Sequence, residues 1–313
     1  MDTEKLRQLE AALDAEISKL IVGQKEAQCL LLIGLLIGGH VLFEGPPGTA
    51  KTLLCRTFAK ATNLQFSRIQ FTPDLMPGDV LGSNLFNFKE SKFELILGPV
   101  FTEILLADEI NRTPPKTQSA LLEAMNERSV TIDGTTHTLS EGFMVVATQN
   151  PLEQQGTYPL PEAQLDRFLF MHILDYPERD DEIAILANAQ SGLSMKEVKP
   201  ITNLRTIVKL RKDIKSILLT EEIASYIVDL VGATRRHPAL AFGASPRAAV
   251  MLADASRAMA ALEGRDFVIP DDVKDLVAPT LRHRVIVSPD AEIDGMTAAS
   301  VLDEIVSQTE APR

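Results

Sequence analysis

The run Gly45-Pro46-Pro47-Gly48-Thr49-Ala50-Lys51-Thr52 holds the residues of this chain best suited to gripping phosphate. Glycines let the backbone curl until several N–H groups face one anion. A helix opening at the end of the run would add partial positive charge there. Lys51 is placed to reach β- and γ-phosphates and the Thr52 hydroxyl to ligate Mg²⁺, with Leu53 next on the same turn. Further on, Ile104-Leu105-Leu106-Ala107 runs into Asp108-Glu109. Asp108 suits holding Mg²⁺ through water, and Glu109 suits polarising an attacking water as general base. Each motif alone has a plainer reading, a Gly/Pro turn or a solvated strand end. Together they point to a nucleoside triphosphate and its hydrolysis. One position departs from the strict pattern: Ala50 stands where glycine is usual, which is tolerable if the backbone there is already helical with negative φ.

These residues need a frame of strand, loop and helix. His40–Glu44 reads as a strand before the loop, and Leu53–Lys60 as a helix after it. Gln65–Phe71, Ile104–Ala107, Phe143–Thr148 and Phe168–Leu174 read as further strands, with helical runs between them. That alternation predicts an α/β fold with a parallel five-stranded sheet between helices, and carboxylates at a strand's C-terminal end lie where such sheets bind ligands. Two hairpins interrupt the scheme, at about 81–98 around Lys89-Glu90-Ser91-Lys92 and at about 129–139 around Asp133-Gly134. Before the core, Leu6, Leu9, Leu13, Ile17 and Leu20 space an amphipathic helix. Beyond Tyr176-Pro177 the pattern turns helical: Glu178–Ala189, Leu204–Ile217, Glu221–Thr234, Pro246–Leu262 and Asp271–Leu281. Thr220 and Ser245 suit N-caps, Pro246 a first helical position, and Gly264 a helix stop. We place the expected boundary between a nucleotide-binding domain, 1–177, and a helical domain, 178–313, with a looser linker over 191–201.

Composition narrows the partners. Apolar residues make up 45% of the 313, ample for a core, and the net charge is −12 with no block of lysine and arginine. Broad binding to nucleic acid or an anionic membrane is therefore not expected. Cys29 and Cys55, the two cysteines, lack metal-ligand spacing and fit reduced core thiols of a cytoplasmic protein. Charges of both signs at Met1 to Lys5 do not form a signal peptide, and the apolar run 29–39 is too short to span a bilayer.

Other stretches carry a resemblance. Gln70-Phe71-Thr72-Pro73-Asp74-Leu75, Leu106 to Arg112, Pro114 to Met125, Ala147-Thr148-Gln149-Asn150-Pro151 and Tyr158 to Phe168 are similar to the AAA+ ATPases, and within them to the MoxR family, over nearly the whole chain. Ala50 itself is what the MoxR pattern carries. The resemblance implies an AAA+ P-loop NTPase core with a C-terminal α-helical lid, binding ATP and Mg²⁺. It implies Asn150 as the sensor of the γ-phosphate, Arg167 as an arginine finger acting in trans on a neighbouring subunit, and Arg247 as a second sensor. Arg235 and Arg236 are weaker candidates for phosphate. Val22, Gly23 and Gln24 resemble the segment lining the adenine pocket. The hairpins would face a central pore, the protein would assemble with itself as a hexamer, and ATP hydrolysis would drive chaperone-like remodelling of a protein client. A separate partner with a von Willebrand factor A domain is implied as well. Two alternatives stay open: a nucleic-acid-translocating motor, and an ATP-gated binding switch with little turnover.

Overall fold

A computed structural model of the chain describes residues 3–151, 156–190 and 194–312. The first half contains α1 (Thr3–Ile17), α2 (Lys25–Ile37), β1 (Val41–Glu44), α3 (Lys51–Ala61), β2 (Phe66–Gln70), α4 (Pro77–Leu81), β3 (Gly82–Asn87), β4 (Lys92–Leu97), β5 (Ile104–Asp108) and α5 (Pro115–Glu127). Then come β6 (Ser129–Ile132), β7 (Thr135–Thr138), β8 (Met144–Gln149), α6 (Glu162–Leu165) and β9 (Phe170–Ile173). The remainder holds α7 (Arg179–Gln190), α8 (Leu204–Ile214), α9 (Glu221–Thr234), β10 (Leu240–Phe242), α10 (Pro246–Leu262), α11 (Pro270–Leu281), β11 (Ile286–Val287), α12 (Pro289–Ile293) and α13 (Ala298–Gln308).

The five-stranded sheet runs β2-β5-β8-β1-β9, and every pairing in it is parallel. Its strands are apolar on both faces because helices cover both. Alternate residues sort cleanly: Val41, Phe43, Ile104, Leu106 and Val146 point to one apolar cluster, while Leu42, Leu105, Ala107, Val145 and Ala147 point to the other. The first cluster lies under α1, α2 and α3 and continues without a break into α8 to α11 and α13. The second lies under α5. Truncating a fully buried side chain such as Phe43 would cost about 3–5 kcal/mol, from lost transfer energy and the cavity left behind.

All five expected strands form, each within two residues of its expected ends. Both hairpins form as separate antiparallel pairs, β3 with β4 and β6 with β7. The β6–β7 turn places Asp133 and Gly134 at φ 48° and 80°, the left-handed geometry a two-residue turn needs. Cys55 is buried and Cys29 partly so, and neither is in a disulfide. Burial pushes the Cys29 thiol up to about 12.

Two local expectations need correction. Ser245 occupies the N-cap of α10 without a side-chain capping bond; Pro246 at the first turn opens that helix instead. At α9 the Thr220 hydroxyl does accept from the Ile223 N–H, at 3.4 Å. The supposed loose linker, whose residues 191–193 lie outside the described ones, is docked from Ser194 onward. The Lys60 ammonium donates to the Met195 carbonyl, Val198 is buried, and the Ile201 N–H donates to Ala61 O at 2.7 Å. The strand pair β10–β11 and the last two helices have no counterpart in the sequence reading. The pair is only three and two residues long, too short for a period-2 pattern to register.

Candidate nucleotide-binding site

Parallel strands place the ends of β1, β5 and β8 on one edge of the sheet, and the phosphate loop leaves from the same edge. The Gly45 N–H donates to Gln149 O at 3.3 Å, tying the loop's start to β8. Any side chain at Gly45 would run into the Leu174 carbonyl, so the close approach of the β9 end selects glycine. Gly48 has φ 86°, and a Cβ there would meet nothing within 4 Å, so the loop's crest opens on free space. The Thr49 hydroxyl donates to Pro46 O at 3.2 Å and braces the turn. The Lys51 ammonium donates to Gly45 O at 2.6 Å and Pro46 O at 2.8 Å. Burial lowers its pKa, against the opposing charges of Asp108, Glu109 and Glu44.

Ala50 overturns the expectation of negative φ. It sits at φ 60° and ψ 20°, the left-handed region, as the N-cap of α3. The helix begins only at Lys51, so Ala50 belongs to the loop's curl and takes its conformation from it.

Three elements converge on Asp108. Its Oδ1 accepts from the Thr148 hydroxyl of β8 at 2.6 Å. Its Oδ2 accepts from Arg68 on β2, at 3.1 Å from Nε and 2.8 Å from Nη2, and lies 3.5 Å from the Thr52 hydroxyl on α3. Among the described residues no three His, Cys, Asp or Glu side chains gather as a metal cage. One hydroxyl beside one carboxylate nevertheless fits Mg²⁺, which completes its shell with water and substrate phosphate oxygens.

Glu109 also holds a left-handed backbone, φ 55°, and its N–H donates to the Thr148 hydroxyl at 2.8 Å. Its Oε2 accepts from Gln70 Nε2 at 2.5 Å and from Arg112 Nη1 at 3.0 Å. Asn150, 8% exposed, lies just past β8. Most of the loop up to Leu53, with Asp108, Glu109, Thr148, Gln149 and Asn150, walls one cleft of about 450 Å³. Gln70 and Thr148 lie in stretches that carry the resemblance, but neither they nor Arg68 were given a site role from the sequence. Their signal was position alone, near the ends of strands that flank β5, and that requires knowing the strand order.

Other candidates lie outside this cleft. Gln24 donates to Thr49 O at 2.8 Å, and Gly23 lies beside the Asp181 carboxylate of α7. Val22, Gly23 and Gln24 thus run along the junction of the loop and the first helix of the C-terminal part. Arg247 is exposed on the first turn of α10. Arg235 is committed to Ala244 O at 2.8 Å, and Arg236 is exposed.

Arg167 lines a different recess, of about 280 Å³, beside α5. Its Nη1 donates to Leu122 O at 2.6 Å, and the Asn126 amide oxygen, turned toward it, accepts at 2.7 Å. The neighbouring Asp166 does not pair with it. Asp166 accepts from Arg284 at 2.7 Å, and Arg284 also donates to Asp166 O, Phe168 O and Leu169 O at 3.0, 2.5 and 3.2 Å. One buried guanidinium of the helical part therefore grips the turn that carries Arg167. Burial lowers the Arg284 pKa to about 10, which its pairing with Asp166 opposes.

Comparison with known proteins agrees with the fold. Residues 40–170 match the ATPase family associated with various cellular activities (AAA), and 232–305 match the AAA lid domain. The chain is 42% identical to the chaperone MoxR1 of Mycobacterium tuberculosis, covering 95% of this chain and 81% of that one. It is 45% identical to the uncharacterised protein YeaC of Bacillus subtilis, over 95% and 92% of the two chains. To the protein MoxR of Paracoccus denitrificans it is 32% identical, over 91% and 89%. The crystal structure of a proposed ATPase from Cytophaga hutchinsonii superimposes with a TM-score of 0.92 at 39% identity, covering 100% of this chain and 97% of that one.

Proposed function

The chain belongs to the MoxR family of AAA+ ATPases, and from that premise we propose that it hydrolyses Mg·ATP within a self-assembled ring, a hexamer, to remodel or mature a protein client. The observation that carries this reading is a separation. Lys51, Thr52, Asp108, Glu109 and Asn150 wall one cleft, while Arg167 stands in another recess. A guanidinium so placed is available to complete a phosphoryl-transfer site in a neighbouring copy, which supports this reading.

In this proposal the loop from Gly45 to Leu53 cradles the phosphates through its backbone N–H groups. Lys51 leaves Gly45 O and Pro46 O for the β- and γ-phosphates. Thr52, and Asp108 through water, would hold Mg²⁺, which supplies positive charge to the phosphate oxygens when bound. Glu109 orients water and takes its proton once Gln70 and Arg112 release its carboxylate. Asn150 donates to the γ-phosphate, the Val22–Gln24 segment lies along the adenine, and Arg247 reports nucleotide state to the lid. The two hairpins face the pore, and a separate protein with a von Willebrand factor A domain serves as partner. Among the described residues no helix is long and apolar enough to cross a membrane; the working compartment we propose is the cytoplasm.

The hold of Gln70 and Arg112 on Glu109 favours one second reading, an ATP-gated switch that turns over slowly until a partner frees the base. Light scattering of purified Glu109→Gln protein with and without Mg·ATP tests the ring. Assembly to about six chains on adding nucleotide is expected. A monomer that has bound ATP would leave Arg167 with no site to complete and would sink the ring reading.

A further inference from the structure

A further cavity, of about 360 Å³, opens between α8, α10 and the opposite, N-terminal edge of the sheet. Its cationic lining is Arg128, Arg211, Lys212, Lys215 and Arg257, against the acids Glu141 and Asp254. This excess of positive charge sits in a chain whose net charge is −12. Arg257 is paired with Asp254 at 2.8 Å. Among the described residues none of the other four cations has a carboxylate within 4.0 Å.

Arg128 and Arg211 are held against each other although they carry like charge. Arg128 donates to Gly38 O at 2.5 Å, and Arg211 donates to Leu35 O and Glu141 O, each at 2.7 Å. Both guanidiniums press on Gly38: a Cβ there would lie 2.7 Å from Arg128 Nη2 and 3.3 Å from Arg211 Cζ. Carbonyl contacts fix the two planes but do not neutralise them. Burial lowers both pKa values, that of Arg211 to about 10 with Arg128 adding to the fall. Donors also remain: Arg211 Nε and Arg257 Nε are buried with no hydrogen-bond partner. A guanidinium carries five N–H bonds in a rigid fork that matches phosphate oxygens in pairs. Helix capping alone would explain neither the orphaned Nε groups nor Lys212 and Lys215, exposed at the mouth. Ile37, Val208 and Ile214 add an apolar wall suited to an organic body.

We propose that this cavity is a second anion site, remote from the 45–53 loop, that takes a phosphate-bearing small molecule. Phosphate fits better than a single carboxylate because it brings more charge and more acceptors into one small volume. Its lining comes from Ile37, Arg128 and Glu141 on the sheet side and from α8 and α10 on the helical side. A bound phosphate compound would therefore tie the lid to the core and set the angle between them.

Isothermal titration calorimetry with pyrophosphate tests this. Full-length Lys51→Ala protein, whose loop site is weakened, is compared with the same protein carrying Lys212→Glu and Lys215→Glu. Both lysines are exposed and make no ion pair among the described residues, so the fold should persist; circular dichroism checks it. Pyrophosphate is expected to bind the Lys51→Ala protein, with affinity about tenfold lower after the two charge reversals. Absence of binding, or equal affinity in both proteins, overturns the site. An oligo-aspartate peptide that binds more tightly than pyrophosphate overturns the small-molecule reading in favour of an acidic protein segment.

Discussion

Ala50 shows how one residue trades local comfort for position. At φ 60° its Cβ crowds the following carbonyl, a strain of about 1–2 kcal/mol that glycine avoids. The gain is a loop that turns straight into α3, leaving Lys51 and Thr52 on the first turn facing Asp108. Ala50→Gly should relieve this strain but enlarge the freedom of the unfolded chain, a loss of about 0.4–1 kcal/mol. The expected net result is a stabilisation of about 1 kcal/mol or less, read as the midpoint of urea unfolding. A clear loss of stability would mean the surroundings fully compensate the left-handed alanine. The residue types of the loop and of the Asp108-Glu109 pair were legible in the sequence. The loop's backbone sign was not, since φ at one residue follows from how both flanking elements are anchored.

Among elements, the decisive pairing is that of β5 with its neighbours. β2 and β8 flank it, so Arg68, Gln70 and Thr148 reach Asp108 and Glu109 from either side. No sequence pattern assigned these three to the site, because what brings them there is strand order. The turn after α6 is the other telling element. Its Asp166 is taken by Arg284, which leaves Arg167 resting on α5. Arg167→Ala is therefore expected to abolish ATP hydrolysis while sparing nucleotide binding and the fold. Mixed with Lys51→Ala subunits, it should regain part of the activity, because each variant supplies what the other lacks. Rings shown by native mass spectrometry to be mixed, yet inactive, would count against action in trans.

The whole molecule presents two features that no single element explains. The β3–β4 hairpin exposes an aromatic cluster in which Phe86 packs edge-on against Phe88 and Phe93, each at 5.2 Å, with Phe88 86% exposed. An apolar cluster left in water like this favours burial against another surface, which the pore-facing role proposed above would require. The second feature is a buried titration. His40 lies between the sheet and α5, its Nδ1 accepting from the Val145 N–H at 2.9 Å and its Nε2 lying 3.3 Å from Met125 O. That pattern requires the neutral ring. Burial, reinforced by Arg128 and Arg211, lowers its pKa to about 3. The unfolded chain, with an ordinary histidine near 6.5, binds the proton that the folded chain refuses. Stability from this group is therefore complete above about pH 6.5 and falls as pH drops, by about 2 kcal/mol between pH 7 and 5. In urea titrations His40→Asn should lose about 2 kcal/mol less than wild type over that interval. The same loss in both proteins would show that His40 is not the titrating group.

The sequence by itself determined the chemistry. A phosphate loop between strand and helix, and carboxylates after an apolar strand, are local patterns, because backbone curl and amphipathic period depend on residues close in the chain. It also determined the five strands and most helices of the C-terminal half. Only the tertiary structure decided what long-range packing decides. That includes which strand lies beside β5, and so which side chains hold Glu109. It includes the placing of Arg167 outside its own chain's cleft. It includes the docking of the 194–201 segment on α3 and the gathering of Arg128, Arg211, Lys212 and Lys215 around one cavity. Arg128 is far in sequence from Arg211, Lys212 and Lys215, as Arg68 and Thr148 are from Asp108, and nothing local in the chain records that burial and strand order bring them together.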